Sequence, residues 1–273
     1  MSAAAWHDVD PAELSPVVLV AGGFLTTPGW YLPMADHLRT RGAVDVVVAS
    51  VYLPDWILCT VRGLGPVTTR VGRALLEAGE RSRGNRHSGG APILLVGHSA
   101  GGIIGRLLTS PVPFEGRRLD ASGRIGALVT LGTPHLVGDD ARWGGRVADA
   151  GARFANRHVP GAPFAPTTGY LAVASRGVVG QAGAEDGRSR FVRRLYEDVH
   201  PAPGQPAVAG DGLVPVASAL LPGARHVVLA DAVHGPGARS PWYGQPAQLD
   251  AWWPAALETW REALRARQGR RTA

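Results

Sequence analysis

Apolar residues fall along this chain in short solid runs, separated by stretches where they recur every three or four positions. The first run, Val17-Val18-Leu19-Val20-Ala21, predicts a strand buried on both faces, as in a parallel sheet. Val44 to Val51, the run through Ile93-Leu94-Leu95-Val96, Arg124 to Leu131, Tyr170 to Val179 and Val227 to Leu229 predict the strands that follow. Between them lie helical patterns: Tyr31 to Arg41, Leu64 to Arg83, the stretch holding Ile103, Ile104, Leu107 and Leu108, Arg188 to Val199, and Leu249 to Arg267. In the second of these, Arg70, Arg73, Glu77 and Glu80 line a wet side opposite Val67, Val71, Leu75 and Leu76. On the fourth, Phe191, Leu195 and Val199 share a side. Strands alternating with helices predict an α/β protein with a mostly parallel sheet covered on both faces.

The alternation weakens after Leu136. Trp143, Val147, Ala150 and Phe154 fit one face of a short helix, and Pro160, Pro163 and Pro166 follow in a loop. A segment inserted after a sheet strand often caps a site. The expectation is one domain over 1–273, with a small cap insertion at about 136–169 and an irregular segment at about 180–206. Trp143, Phe154 and Phe164 would make the cap apolar.

Composition narrows the function. Apolar residues at 45% and charged residues at 18% suit a globular chain with a sizeable core. All 28 basic residues are arginine, which excludes a Schiff-base lysine and a phosphate-loop lysine, and with them pyridoxal-phosphate enzymes and ordinary P-loop nucleotide hydrolases. The net charge of +6 and pI near 10.3 invite a nucleic-acid reading. The arginines are scattered, however, the densest group being Arg261, Arg265, Arg267, Arg270 and Arg271, and no recognition motif accompanies them. A solvated basic surface is expected, and no nucleic-acid partner. The sole cysteine, Cys59, can form no internal disulfide. Residues 1–16 do not read as a signal peptide and no run is long enough to span a membrane, so the expected location is cytoplasmic. No cofactor and no metal are expected.

The chemistry begins at Gly97-His98-Ser99-Ala100-Gly101, where an apolar strand meets a helical pattern. Strand, sharp turn and helix is the context of a nucleophile elbow, with Ser99 at its tip. Gly97 and Gly101 flank it where strand and helix pass too closely for a Cβ. A serine hydroxyl needs a base to take its proton, and the base needs a carboxylate to orient it. The order in this type of site is serine, acid, histidine. Asp211, in Gly210-Asp211-Gly212, and His234, in a loop after the last strand, satisfy that order. His135, His158, His200 and His226 compete for the base, and Asp231, Asp139 and Asp140 for the acid. His98 fits a structural hydrogen-bonding role. The oxyanion would be met by the backbone N–H of Ala100 and by one from the loop at Gly23-Phe24-Leu25, with Phe24 the preferred donor.

These motifs resemble the α/β-hydrolase fold superfamily. The closer likeness is to lipase-like α/β-hydrolase proteins of plants and cyanobacteria, related in motif to the GPI inositol-deacylase and triacylglycerol-lipase groups. It is carried by Val20-Ala21-Gly22-Gly23-Phe24, Gly97-His98-Ser99-Ala100-Gly101-Gly102, Leu131-Gly132-Thr133-Pro134-His135, Gly210-Asp211-Gly212-Leu213-Val214-Pro215 and Pro241-Trp242-Tyr243-Gly244. The resemblance implies Ser99, Asp211 and His234 as catalytic triad and Phe24 with Ala100 as oxyanion hole. Ala21-Gly22-Gly23-Phe24 departs from the His-Gly that many lipases carry before the oxyanion residue.

The function expected is a serine hydrolase cleaving carboxylic esters through an acyl-enzyme, on a small-molecule substrate with an apolar group. An acyltransferase or thioesterase of a biosynthetic pathway would use the same triad. A non-catalytic ligand-binding scaffold would not need all three groups.

Overall fold

The apolar runs pair side by side and are covered on both faces. In the computed structural model, which describes residues 5–138, 145–236 and 241–272, eight strands are seen. In chain order they are β1 (Val17–Ala21), β2 (Asp45–Val48), β3 (Ile93–His98), β4 (Ile125–Leu131), β5 (Gly169–Ser175), β6 (Val178–Gln181), β7 (Ala207–Gly210) and β8 (Arg225–Leu229). Six form one sheet in the order β2-β1-β3-β4-β5-β8, every neighbouring pair parallel. β6 and β7 make a separate antiparallel pair. The helices are α1 (Leu32–Thr40), α2 (Leu53–Arg62), α3 (Gly65–Gly84), α4 (Ala100–Thr109), α5 (Gly145–His158), α6 (Gly187–Val199), α7 (Val216–Ala219) and α8 (Pro246–Thr272).

Period-two alternation divides β1 to β5 between two cores. Val17, Leu19 and Ala21 of β1 face a core shared with α2, α3, α4 and α5, while Val18 and Val20 face one shared with α1 and α8. Leu19, Leu94 and Leu95 are wholly buried. Side chains of that size contribute about 1.5–3 kcal/mol each when removed from water, so the paired central strands form a rigid base for whatever sits at their ends. On α8, Trp252, Trp253 and Trp260 bury their rings and donate their indole N–H groups to the carbonyls of Tyr243, Arg41 and Pro92.

Several elements differ from the sequence expectation. The run Tyr170 to Val179 splits into β5 and β6, because Gly177 packs against the backbone of Asp231, where a Cβ would stand 2.7 Å from its carbonyl carbon. The segment 180–206 holds α6, at the place of the helical pattern Arg188 to Val199, and leads into β7. Helix α2 was not expected; Asp55 fixes its start by accepting the Tyr52 N–H and pairing with Arg70. Leu76 lies on the wet side of α3, 48% exposed. The buried side of α6 is Val192, Tyr196 and Val199, and Phe191 is 61% exposed.

Helix α5 packs beside α4, with Ala152 and Ala155 in the same core as Ile103 and Leu107. Phe154 meets Phe114 edge-on and the tilted ring of His158, and Phe164 also packs on that core. The described part of 136–169 is therefore a layer beside the sheet, with neither phenylalanine over the site. Asp139, Asp140 and Trp143 lie outside the described residues.

Two arginines, the buried Arg106 and the half-buried Arg267, bind backbone carbonyls. Arg267 donates to carbonyls of Ser122, Gly123, Ile125 and Thr167, and Arg106, wholly inside, to Val159 and to Asn156 Oδ1. Burial lowers the pKa of both.

Candidate active site

The site lies at the carboxyl ends of β1 and β3. The last β3 residue is His98, and α4 begins at Ala100, which leaves Ser99 alone to make the turn. It does so at φ 53°, ψ −122°, a left-handed conformation costly for a residue with a Cβ. The Ser99 N–H is held on the Leu131 carbonyl at 2.9 Å, and its own carbonyl accepts from the Gly102 N–H and the Thr133 hydroxyl, both at 3.0 Å. The neighbouring glycines are needed for close approach. A Cβ on Gly101 would stand 2.1 Å from the Ala21 carbonyl oxygen, and one on Gly97 2.5 Å from Gly102 Cα.

His234 sits in a loop whose backbone is tied at every step. Ser175 Oγ holds the Ala232 carbonyl at 2.6 Å, and the Val233 N–H is bonded to the Pro241 carbonyl at 2.7 Å. The His234 N–H donates to the Asp211 carbonyl at 2.9 Å, and its own carbonyl accepts from His98 Nε2 at 2.7 Å. So fixed, the ring places Nε2 2.9 Å from Ser99 Oγ and Nδ1 2.8 Å from Asp211 Oδ2. A carboxylate takes only a donated proton here, so Nδ1 carries the hydrogen and Nε2 is the free acceptor facing the serine.

Asp211 follows β7 and is 1% exposed. Its Oδ1 accepts the N–H groups of Leu213 and Val214 at 3.0 and 2.8 Å, and its Oδ2 accepts Tyr243 OH at 2.9 Å beside His234. Burial alone would raise its pKa; the charge and hydrogen bond of His234 and the two N–H groups outweigh it and hold the carboxyl below its ordinary value. Tyr243 goes the opposite way, pushed well above the usual phenol range by burial and by the Asp211 charge. Gly132, at φ 54°, makes room for both: a Cβ there would meet Asp211 Oδ2 at 2.6 Å.

A cleft of about 460 Å³ opens onto Ser99 and His234. Phe24, Trp30, Leu195, Leu213 and Pro236 give it apolar walls, and Asp198 supplies a carboxylate at the edge. Leu195 and Asp198 come from α6. The backbone N–H groups of Phe24 and Ala100 have no hydrogen-bond partner among the described residues, whereas the neighbouring Gly23 N–H is taken by Tyr31 OH at 2.8 Å.

Of the sequence candidates, the structure brings together Ser99, His234, Asp211, Phe24 and Ala100. The competing histidines stand elsewhere. His135 is fully buried against Thr130, His226 bonds the Leu221 carbonyl, and His158 stacks on Phe154. Asp231 accepts from Gln248. Sequence reasoning missed the roles of Tyr31 and Tyr243. Tyr243 lies in the Pro241-Trp242-Tyr243-Gly244 stretch, but nothing in that stretch says that its hydroxyl reaches a carboxylate.

No protein-family model matches the chain, and no curated protein matches it in sequence. Among solved structures the chain is similar to the mature lipase of Bacillus licheniformis, at 17% identity over 89% of this chain and 92% of that one, with a TM-score of 0.59. It also aligns with an esterase of Thermogutta terrifontis, at 14% identity over 92% and 83% of the two chains, TM-score 0.48. A dienelactone hydrolase from Anabaena variabilis aligns at 15% identity over 90% and 85%, TM-score 0.41. The parallel sheet, its helical layers and the lipase likeness define an α/β-hydrolase fold.

Proposed function

We propose that this protein is a serine hydrolase that cleaves carboxylic esters of small molecules through an acyl-enzyme. One observation carries the reading: Ser99 Oγ, the His234 ring and Asp211 Oδ2 are joined by hydrogen bonds of 2.9 and 2.8 Å at the floor of an apolar-walled cleft.

The steps follow from the proton positions. His234 Nε2 takes the Ser99 proton as Oγ attacks the ester carbonyl carbon. Asp211 holds the imidazolium that forms, and its lowered pKa keeps it ionised for that task. The developing oxyanion is received by the N–H groups of Phe24 and Ala100, which have no partner among the described residues. Collapse breaks the ester C–O bond, with His234 protonating the leaving alcohol. Water, deprotonated by the same nitrogen, then releases the acid and restores Ser99. Phe24, Leu195, Leu213 and Pro236 favour an apolar acyl or alcohol group. The motif likeness to lipase-like proteins supports the same preference.

The test is a series of p-nitrophenyl esters of rising chain length on wild type and Ser99→Ala, with fluorophosphonate labelling of the folded protein. Hydrolysis that disappears in Ser99→Ala, together with a label on Ser99, is expected. Full activity in Ser99→Ala would reject the reading, and products formed only with added alcohols or amines would move it to acyl transfer.

A further inference from the structure

Tyr31, just ahead of α1, is 1% exposed, and its hydroxyl is within hydrogen-bond reach of three groups. They are the Gly23 N–H at 2.8 Å, His98 Nδ1 at 2.8 Å and Thr26 Oγ1 at 3.1 Å. The surroundings fix which of these groups can donate. His98 Nε2 stands 2.7 Å from the His234 carbonyl, which can only accept, so this nitrogen carries the ring hydrogen. Burial and the nearby His234 charge lower the His98 pKa to about 3, which leaves the ring neutral and Nδ1 an acceptor. Thr26 gives its hydroxyl proton to the Gly23 carbonyl at 2.7 Å, so it too can only accept from Tyr31, whose single proton goes to the nearer acceptor, His98 Nδ1 at 2.8 Å against 3.1 Å. Tyr31 therefore accepts from the Gly23 N–H and donates to His98 Nδ1.

We propose that Tyr31 is a positioning residue for acyl transfer, whose single hydroxyl sets the oxyanion loop and the His234 loop in one register. The inference rests on the Ser99 hydrolase reading. At one end the Gly23 N–H is committed to Tyr31, which anchors the loop one residue before Phe24, the proposed donor. At the other end the chain of bonds runs from Tyr31 through His98 to the carbonyl of the residue that must face Ser99. The loop has little slack. A Cβ on Gly23 would stand 3.0 Å from both His98 Nδ1 and Ser99 Cβ, so a shift of this backbone is felt at once by the histidine and the nucleophile. A buried tyrosine hydroxyl needs a partner in any case, and a role confined to that would move stability alone. Positioning predicts a loss of transition-state affinity in protein that is fully folded.

The experiment compares full-length wild type, Tyr31→Phe, His98→Gln and the double variant, with Ser99→Ala as control. Turnover of a p-nitrophenyl ester is normalised to active sites titrated with fluorophosphonate. Inhibition by an arylboronic acid, which mimics the tetrahedral state on Ser99, is measured beside it. Tyr31→Phe is expected to lower kcat per titrated site by about tenfold to a hundredfold, with KM little changed and boronate affinity reduced by a matching factor. The double variant should lose little more than either single one. In wild type, the ring-nitrogen NMR signals of His98 should show the Nε2–H form with a hydrogen-bonded Nδ1, and Tyr31→Phe should shift the Nδ1 signal. Wild-type turnover per site and wild-type boronate affinity in Tyr31→Phe would overturn the proposal, whatever its melting temperature. If that variant is too unstable to titrate, His98→Gln carries the same test, and a wild-type spectrum with the hydrogen on Nδ1 overturns the proposal unaided. Activity retained in Ser99→Ala is a separate failure, that of the hydrolase reading.

Discussion

The hydroxyl of Tyr243 donates to Asp211 Oδ2 at 2.9 Å, sharing that oxygen with the N–H of His234. Both residues are buried, and Asp211 still has three other donors when the hydroxyl is removed. Tyr243→Phe should therefore keep the tautomer of His234 and lower kcat/KM by a modest factor, about threefold to tenfold. It should cost about 1.5–3 kcal/mol of stability for the lost bond to a charged group. Asp211→Asn should do far more to turnover, about ten-thousandfold in kcat, because an amide at this place can hold the imidazole in the wrong tautomer. Steady-state kinetics with urea unfolding of both variants separates the two effects. Equal kinetic losses would contradict the division of labour.

Ser99 holds its left-handed turn against the preference of a residue with a side chain. Ser99→Gly should remove that strain and raise stability by about 1 kcal/mol, while abolishing ester hydrolysis. Thermal unfolding of Ser99→Gly against Ser99→Ala is the comparison, since alanine loses the hydroxyl but keeps the Cβ. A glycine variant no more stable than the alanine variant would show that the turn is unstrained.

Strands buried on both faces were legible because their apolar runs allow no other packing, and the elbow because two glycines and a serine interrupt such a run. Position along the chain made Asp211 and His234 candidates. What stayed hidden was pairwise. Tyr31 lies 67 positions before His98 and Tyr243 lies 32 positions after Asp211, so no local pattern could join them. The buried face of α6 is turned by one position from the side that Phe191 and Leu195 predict. Phe191 looked like the apolar anchor, but Tyr196 is the buried residue, because its hydroxyl accepts the Gly212 N–H beside the acid and donates to the Val178 carbonyl. Helix α2 starts at a capping arrangement that depends on Arg70, fifteen residues beyond Asp55.

Acid should destabilise the fold through buried imidazoles, ahead of the carboxylates that titrate in the ordinary range. Burial lowers His98 to about 3 and takes His135 well below its usual 6.5, so near pH 5 the unfolded chain binds two protons that the native one excludes. Each imidazole removes about 1.4 kcal/mol per pH unit below its unfolded pKa. Asp149, raised by burial to about 6, works against this as pH falls from there to its unfolded value of 3.8, because the native state then binds the extra proton. Below 3.8 the depressed Asp211 adds its own loss, since its contribution is complete above the unfolded pKa and disappears as pH falls through the native one. Urea unfolding between pH 5 and 7.5 should show stability falling on the acid side, less steeply in His98→Gln. A stability independent of pH over that interval would mean that the two imidazoles are not held neutral.

Leu195 lines two cavities, the cleft of about 460 Å³ at Ser99 and a neighbouring one of about 560 Å³ that is also bordered by Val178, Phe191 and Asp211. Leu213, His234 and Pro236 border both, but Leu195 alone among these comes from α6, and it takes no part in the hydrogen bonds that join Ser99, His234 and Asp211. Its truncation should widen the cleft toward the neighbouring space and leave the reacting groups in place. Each further methylene that gains cover is worth about 0.8 kcal/mol, or roughly fourfold in kcat/KM. Leu195→Ala should accordingly raise the ratio of decanoate to butyrate ester hydrolysis by about tenfold or more, with butyrate turnover little altered. Leu195→Trp should shift the ratio the other way by filling the same space. The readout is kcat/KM across p-nitrophenyl esters of graded length. An identical chain-length profile in wild type and both variants would place the acyl chain somewhere other than along α6.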